Sequence, residues 1–249
     1  MKLIQIAVVN ASSLADDDVA NGLVALQRQV SDDFAPVWGV DAELHLVAKE
    51  QAFGGTKFPD RWALVLEDHE LVTAQLGNHV RGYHDRTSTG MPMARVMVDQ
   101  LPPGQDWTLV ASHELLEMLA DPDCNAAVFR HPDANTVVFY AREVSDPTAA
   151  YEDGYEKCGR VVSNFVFPAW FEATSPTRGA TRFDERRLID APFTVRPHGY
   201  IGVFDPTTSS WGLQKYGGTF DTENELGGRM ERRNTADSRL LDSDMITAP

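Results

Sequence analysis

Cysteine is scarce in this chain of 249 residues: there are two, Cys124 and Cys158, and no CxxC spacing. Two thiols cannot build a disulfide framework, and at most one bridge is open to them. Two reduced cysteines are the plainer reading. Basic residues are short as well, with 22 Lys and Arg against 37 Asp and Glu, a formal net charge of −15 and no concentrated basic stripe. Neutralising phosphates dominates nucleic-acid binding, so no nucleic-acid partner is expected. No stretch approaches the ~20 apolar residues of a membrane span, and no membrane partner is expected either. The first residues, MKLIQIAVVNASSLA, carry one lysine and no charge-rich leader, so a buried strand explains them as well as a signal peptide would. The expectation is a soluble, cytoplasmic protein, with secretion left open. The chain also lacks GxSxG, a phosphate-binding P-loop, a dinucleotide glycine fingerprint, internal repeats and low-complexity blocks. Neither cysteine has a histidine beside it, so nothing supports a cysteine nucleophile.

What is present is enough apolar character, 43% of residues, to bury a real core in one large domain or two small ones. Residues 2–9 (KLIQIAVV) form a near-continuous apolar run, which suggests a strand buried on both faces. Ser13 and Asp16, Asp17 and Asp18 supply a cap and first-turn acids for a helix. Val19, Leu23, Leu26, Val30 and Phe34 then recur at spacings of three and four, up to a stop at Pro36 and Gly39. Strands are predicted at 43–48, 61–66, 80–86 and 93–98, with a loop at Gly54, Gly55 and Pro59. Asp106 caps a helix that runs to Ala120, where Asp121-Pro122 forces an exit. Further strands are predicted at 136–141, 160–166 and 198–204, with an aromatic cluster at Pro168, Trp170 and Phe171 and a polar mixed stretch at 174–192. The fold class expected is α+β, with a mixed sheet and backing helix in 1–122, a smaller irregular lobe in 123–220 and a polar, mobile tail in 221–249.

Chemistry concentrates in Trp107–Pro122, WTLVASHELLEMLADP. On a helix, His113 and Glu117 lie one turn apart on the same face, so an imidazole nitrogen and a carboxylate oxygen point at one spot. Both are ligands for a divalent cation such as Zn²⁺. Glu114 is turned about 100° away, where a carboxylate can take a proton from a water held by the ion. Leu109, Val110, Leu115, Leu116, Met118, Leu119 and Ala120 make the helix apolar over much of its surface. Burying His113, Glu114 and Glu117 without compensation would cost several kcal/mol per charge, and a metal ion compensates them. The competing expectation puts these carboxylates on a solvated face or against an arginine.

The segment resembles the active-site helix of the zincin metallopeptidases, whose signature is HExxH. His113 matches the first histidine and Glu114 the general base. Glu117 stands where the family has its second histidine, making this an HExxE variant. The order of elements before the helix is similar to the zincin N-terminal half, which includes an antiparallel edge strand beside the cleft. In the gluzincin branch the third ligand is a Glu some way after the motif, followed by an acidic residue. The resemblance therefore implies Glu143 as third ligand with Asp146 as the fallback, in AREVSDP. It implies bound Zn²⁺ or another divalent cation and a peptide or small-molecule amide as substrate. Orientation of His113 through its other ring nitrogen could fall to Asp121, Asp123 or Asp146. For Asp121 a helix-terminal Asp-Pro turn is an equal expectation.

Other residues carry weaker signals. His84, in Tyr83-His84-Asp85 between predicted strands, could line the cleft, although a surface or packing role is the plainer expectation. Tyr151, Tyr155, His198 and Tyr200 are candidate donors to an oxyanion, a group such hydrolysis requires. The leading expectation is a metal-dependent hydrolase. A degenerate zincin that holds its ion structurally, and a biosynthetic enzyme on the same scaffold, are the alternatives.

Overall fold

A computed structural model of the chain describes residues 3–53, 61–68, 81–87, 89–172, 181–218 and 220–221. The predicted loop at Gly54, Gly55 and Pro59 and the tail from 222 onward lie outside the described residues.

The apolar run at the start becomes β1 (Ile4–Ala11), an interior strand of a five-stranded sheet. Its side chains alternate between two cores. Ile6 and Val8 join the main cluster, while Ala7, Val9 and Ala11 face a smaller one on the opposite side. β2 (Ala42–Val47) and β3 (Trp62–Glu67) flank it in parallel, β5 (Pro92–Met97) runs parallel to β3, and β4 (Gly82–Arg86) closes the edge antiparallel to β5. The strand order is β2-β1-β3-β5-β4.

Helix α1 (Asp16–Arg28) carries its three aspartates in the first turn, where the helix dipole favours them. Ala15, not Ser13, stands at its N-cap, and no side chain caps it. Pro36 does not end the helical path. A π-helical turn at Gln29–Phe34 leads into α2 (Ala35–Trp38), with Pro36 in its first turn, where a missing N–H costs nothing. Gly39, at φ 71°, makes the stop. A short helix, α3 (Lys49–Phe53), follows β2.

Helix α4 (Trp107–Ala120) is buried on nearly every side, from Trp107 and Leu109 through Leu115 and Leu116 to Leu119. Asp106 caps it by accepting from Thr108 N–H. It packs on β4, β5 and the segment Arg160–Val162.

Beyond α4 a second sheet has the order β12-β11-β10-β7-β6, all antiparallel, built from β6 (Ala127–Asp133), β7 (Thr136–Ala141), β10 (Tyr200–Asp205), β11 (Ser210–Lys215) and β12 (Phe220–Asp221). Pro132 is tolerated because β6 is an edge strand. The strand expected over 160–166 stops early. β8 (Tyr155–Lys157) pairs with β9 (Arg160–Val162) in a hairpin, and only a lone bridge from Val166 to Asp184 continues the pairing. Asn164 replaces the ladder there, donating to Asp184 and accepting from Phe165 N–H.

One hydrophobic cluster runs through both halves of the chain, from Ile6, Leu26 and Leu115 to Phe165, Trp170 and Val203. Among the described residues no helix is long and apolar enough to cross a membrane. Both cysteines are free thiols, Cys124 buried and Cys158 exposed.

Candidate metal centre

Three pieces of chain meet at the site. The first is α4 itself, which carries His113, Glu114 and Glu117. The second is the edge strand β4. Period two puts Tyr83 into the smaller core and turns Gly82 and His84 toward α4. A Cβ at Gly82 would lie 2.7 Å from Glu114 Oε1 and 2.8 Å from Val110 Cγ1, so this approach of strand to helix requires glycine. The third is the segment after β7. Val144 C=O accepts from Val166 N–H, and Ser145 Oγ donates to the His113 carbonyl. A 3-10 turn at Asp146–Thr148 then directs Asp146 back to the helix.

The result is a buried assembly of four carboxylates, Glu114, Glu117, Glu143 and Asp146, with two imidazoles, His84 and His113. His113 Nε2 is 3.1 Å from Asp146 Oδ1 and 3.5 Å from Glu117 Oε1. His84 Nδ1 is 3.5 Å from Glu117 Oε2 and 3.6 Å from Glu114 Oε2, and its Nε2 is 3.6 Å from Glu143 Oε2. The backbone N–H groups of Ser145 and Asp146 donate to Glu117 Oε1 and hold that carboxylate in place.

Sequence-predicted residues are thus brought together with one rearrangement. His113 and Glu117 gather with Asp146, whereas Glu143 gathers with Glu117 and His84. His84 is 3% exposed and turned into the assembly, not toward the surface. The sequence offered His84 as a residue that could line the cleft, behind a surface or packing role as the plainer expectation, but did not join it to the ligands on α4. Asp121 accepts from the N–H groups of Asn125 and Ala126, the role of a helix-terminal turn. Asp123 pairs with Arg86 at an exposed position. Of the oxyanion candidates, Tyr200 reaches the assembly through a hydrogen bond to Asp146. Tyr155 instead donates to Asp33, and Tyr151 lines a separate surface cavity with Trp107 and Arg160. His198 and Tyr200 line another cavity of about 350 Å³ together with Gly199, Lys215 and Tyr216.

The ionisable groups of the assembly act strongly on one another. Burial disfavours the charged imidazolium of His113, yet Glu117, Asp146 and Glu114 outweigh it and raise its pKa to about 10. Burial and the charge of Glu117 raise Asp146 to about 7, against the pull of His113. The charge of Asp146, then burial, then Glu117 and Glu114 push the Tyr200 phenol well above its ordinary value. A divalent cation among these carboxylates would offset their mutual repulsion.

Zn²⁺ is held tetrahedrally at about 2.0–2.1 Å, so neighbouring ligand atoms stand roughly 3.3 Å apart. The His113–Asp146 and His113–Glu117 separations of 3.1 and 3.5 Å bracket that edge. Among the described residues two groups of three have ligand atoms within 4.8 Å of one another: His113, Glu117 and Asp146, and His84, Glu117 and Glu143. The donors present fit a divalent cation. No known protein family, curated protein or solved structure matches the chain. The fold and site together define an α+β protein with a candidate metal centre.

Proposed function

We propose that the protein is a zincin-like, metal-dependent hydrolase that acts on a peptide or small amide, with His113, Glu117 and Asp146 as ligands of a divalent cation, zinc being the first choice. The observation that carries this reading is the spacing of those three side chains around one point on a buried helix. The antiparallel edge strand β4 beside α4 supports the zincin resemblance. A divalent cation held by these residues would supply Lewis-acid chemistry for a carbonyl and make a nearby water more acidic.

The chain's own groups supply the rest. Glu114, adjacent to His113 and held at the strand by the missing side chain of Gly82, receives the proton of the attacking water and passes it to the leaving nitrogen. Tyr200 keeps its proton and donates to the oxygen on which charge develops. The Ser145 and Asp146 amides fix Glu117. His113 and Asp146 are the least enclosed members of the assembly, with side-chain exposures of 13% and 10%. Two free thiols suit a reducing compartment, and we assign the protein to the cytoplasm.

Elemental analysis of protein purified without chelators or a metal-binding tag tests the reading. Zinc or another divalent metal that is diminished in His113→Ala is expected. Protein that holds no metal, and takes up none when Zn²⁺ is added, would sink the hydrolase assignment.

A further inference from the structure

Glu117 belongs to both candidate groups, and its two oxygens are divided between them. Oε1 faces His113 at 3.5 Å, and Oε2 faces His84 at 3.5 Å. That is the disposition of a bridging carboxylate, which in two-metal sites spans ions about 3.5–4 Å apart. The groups differ in enclosure. His113 and Asp146 are 13% and 10% exposed in their side chains, whereas His84 and Glu143 are 2% and 5%.

We propose that the protein holds two divalent cations side by side, bridged by Glu117: an outer ion at His113, Glu117 and Asp146, and an inner ion at His84, Glu117 and Glu143. The outer position rests on the function proposed above; the inner one does not share its other ligands. His84 Nδ1 stands 3.5 Å from Glu117 Oε2, close to the edge of a ligand polyhedron, while Glu143 Oε2 stands 3.6 Å from the other ring nitrogen, Nε2; one ligand atom from each of the three lies within 4.8 Å of the other two. A neutral imidazole with two carboxylates is a donor set that zinc and manganese both accept. Enclosure makes the inner ion slow to exchange, and the greater exposure of His113 and Asp146 makes the outer one quicker. Glu117, with Oε1 anchored by two amides, couples them. The inner ion also stabilises the approach of β4 to α4, since it ties a residue of the edge strand to the helix.

The test is zinc stoichiometry by elemental analysis. The full-length protein is loaded with Zn²⁺ and desalted, and fold is checked by circular dichroism. Two ions per chain are expected in the wild type. His84→Ala and Glu143→Gln should each keep one, and His113→Ala should also keep one. Brief EDTA treatment should remove one wild-type ion rapidly and the other slowly. Glu143→Gln, nearly unchanged in volume, serves where His84→Ala fails to fold. A wild type with one ion, unaltered by His84→Ala or Glu143→Gln, would overturn the inner site and leave the hydrolase reading standing. Two ions that both survive those substitutions would also overturn it. No bound zinc at all would overturn both.

Discussion

The carboxylate of Glu117 is held by two backbone amides 28 and 29 residues further along the chain, those of Ser145 and Asp146, which donate to its Oε1. A side chain on the central helix thereby fixes the loop that presents Asp146, and the loop fixes the side chain in return. Glu117→Gln keeps the volume but substitutes an amide for one oxygen and removes the charge. Zinc affinity is expected to fall at least about tenfold, the lower end of what even an indirect partner of a ligand contributes. Isothermal titration with Zn²⁺ reads this, and an unchanged affinity would remove Glu117 from the ligand set.

Glu114→Gln separates chemistry from binding. Glu114 lies beside the ligands without belonging to either candidate group, so the variant should retain its zinc. Turnover of any substrate identified by library screening should fall about 10²–10⁴-fold, the usual contribution of a general acid–base residue. Full activity in that variant would eliminate the proposed mechanism.

Gly82→Ala tests how Glu114 is placed. The added Cβ would stand 2.7 Å from Glu114 Oε1 and 2.8 Å from Glu114 Cγ, so the glutamate must move. The expected outcome is a folded protein that keeps its outer metal, with a turnover number reduced toward that of Glu114→Gln. A turnover number equal to that of the wild type would show that Glu114 needs no such seat.

How much of this was legible beforehand differs from element to element. Helix α4 was legible because its signals are local: Asp106 before it, Asp121-Pro122 after it and an apolar surface between. β1 was legible as a run, and both of its faces are buried. The π-turn at Gln29–Phe34 was not, because Pro36 reads as a stop until an extra residue in the preceding turn lets it serve as a start. β6 and β11 were missed because RHPD and SWGLQK have no clean alternation, and partners far along the chain decide them. At the site, His113, Glu114 and Glu117 share one helix, and their relation follows from helical geometry alone. Glu143 and Asp146 were visible as acids but not in their allocation, which depends on a turn three residues long. His84 was visible only as a residue that could line the cleft, because the register of β4 on β5, and of that pair on α4, is what carries it to the ligands.

Gly22 in α1 bears on the seat of the site helix. Gly to Ala inside a helix ordinarily stabilises by up to ~1 kcal/mol. Here a Cβ would lie 2.2 Å from Trp107 Cζ2 and 2.9 Å from Thr108 Cγ2, at the first turn of α4. Overpacking of this kind costs about 1–3 kcal/mol and should reverse the sign. Thermal unfolding should show Gly22→Ala melting about 2–4 °C lower for each kcal/mol lost. A raised melting temperature would show that α1 and α4 part without cost.

The same junction sets a pH dependence. Burial raises the Asp18 carboxyl, but hydrogen bonds from Arg160 and Trp107, together with the guanidinium charge, outweigh it and hold the group below its ordinary value of 3.8. Trp107 Nε1 donates to Asp18 Oδ2 at 2.8 Å, and Arg160 Nη2 donates to Oδ1. The folded state therefore binds the proton less readily than the unfolded chain. Its stabilising contribution is fully present above the unfolded value and is lost as pH falls through the folded one. Asp18 is partly exposed and solvent weakens the pair, so the effect is modest. Asp18→Asn removes the charge while keeping a hydrogen-bonding oxygen. The melting temperatures of wild type and variant should differ most near neutral pH and converge as the solution is taken below 3.8, the ordinary value of this carboxyl. A difference that stays constant across that range would mean that Asp18 ties α1 to α4 by shape alone, without its charge.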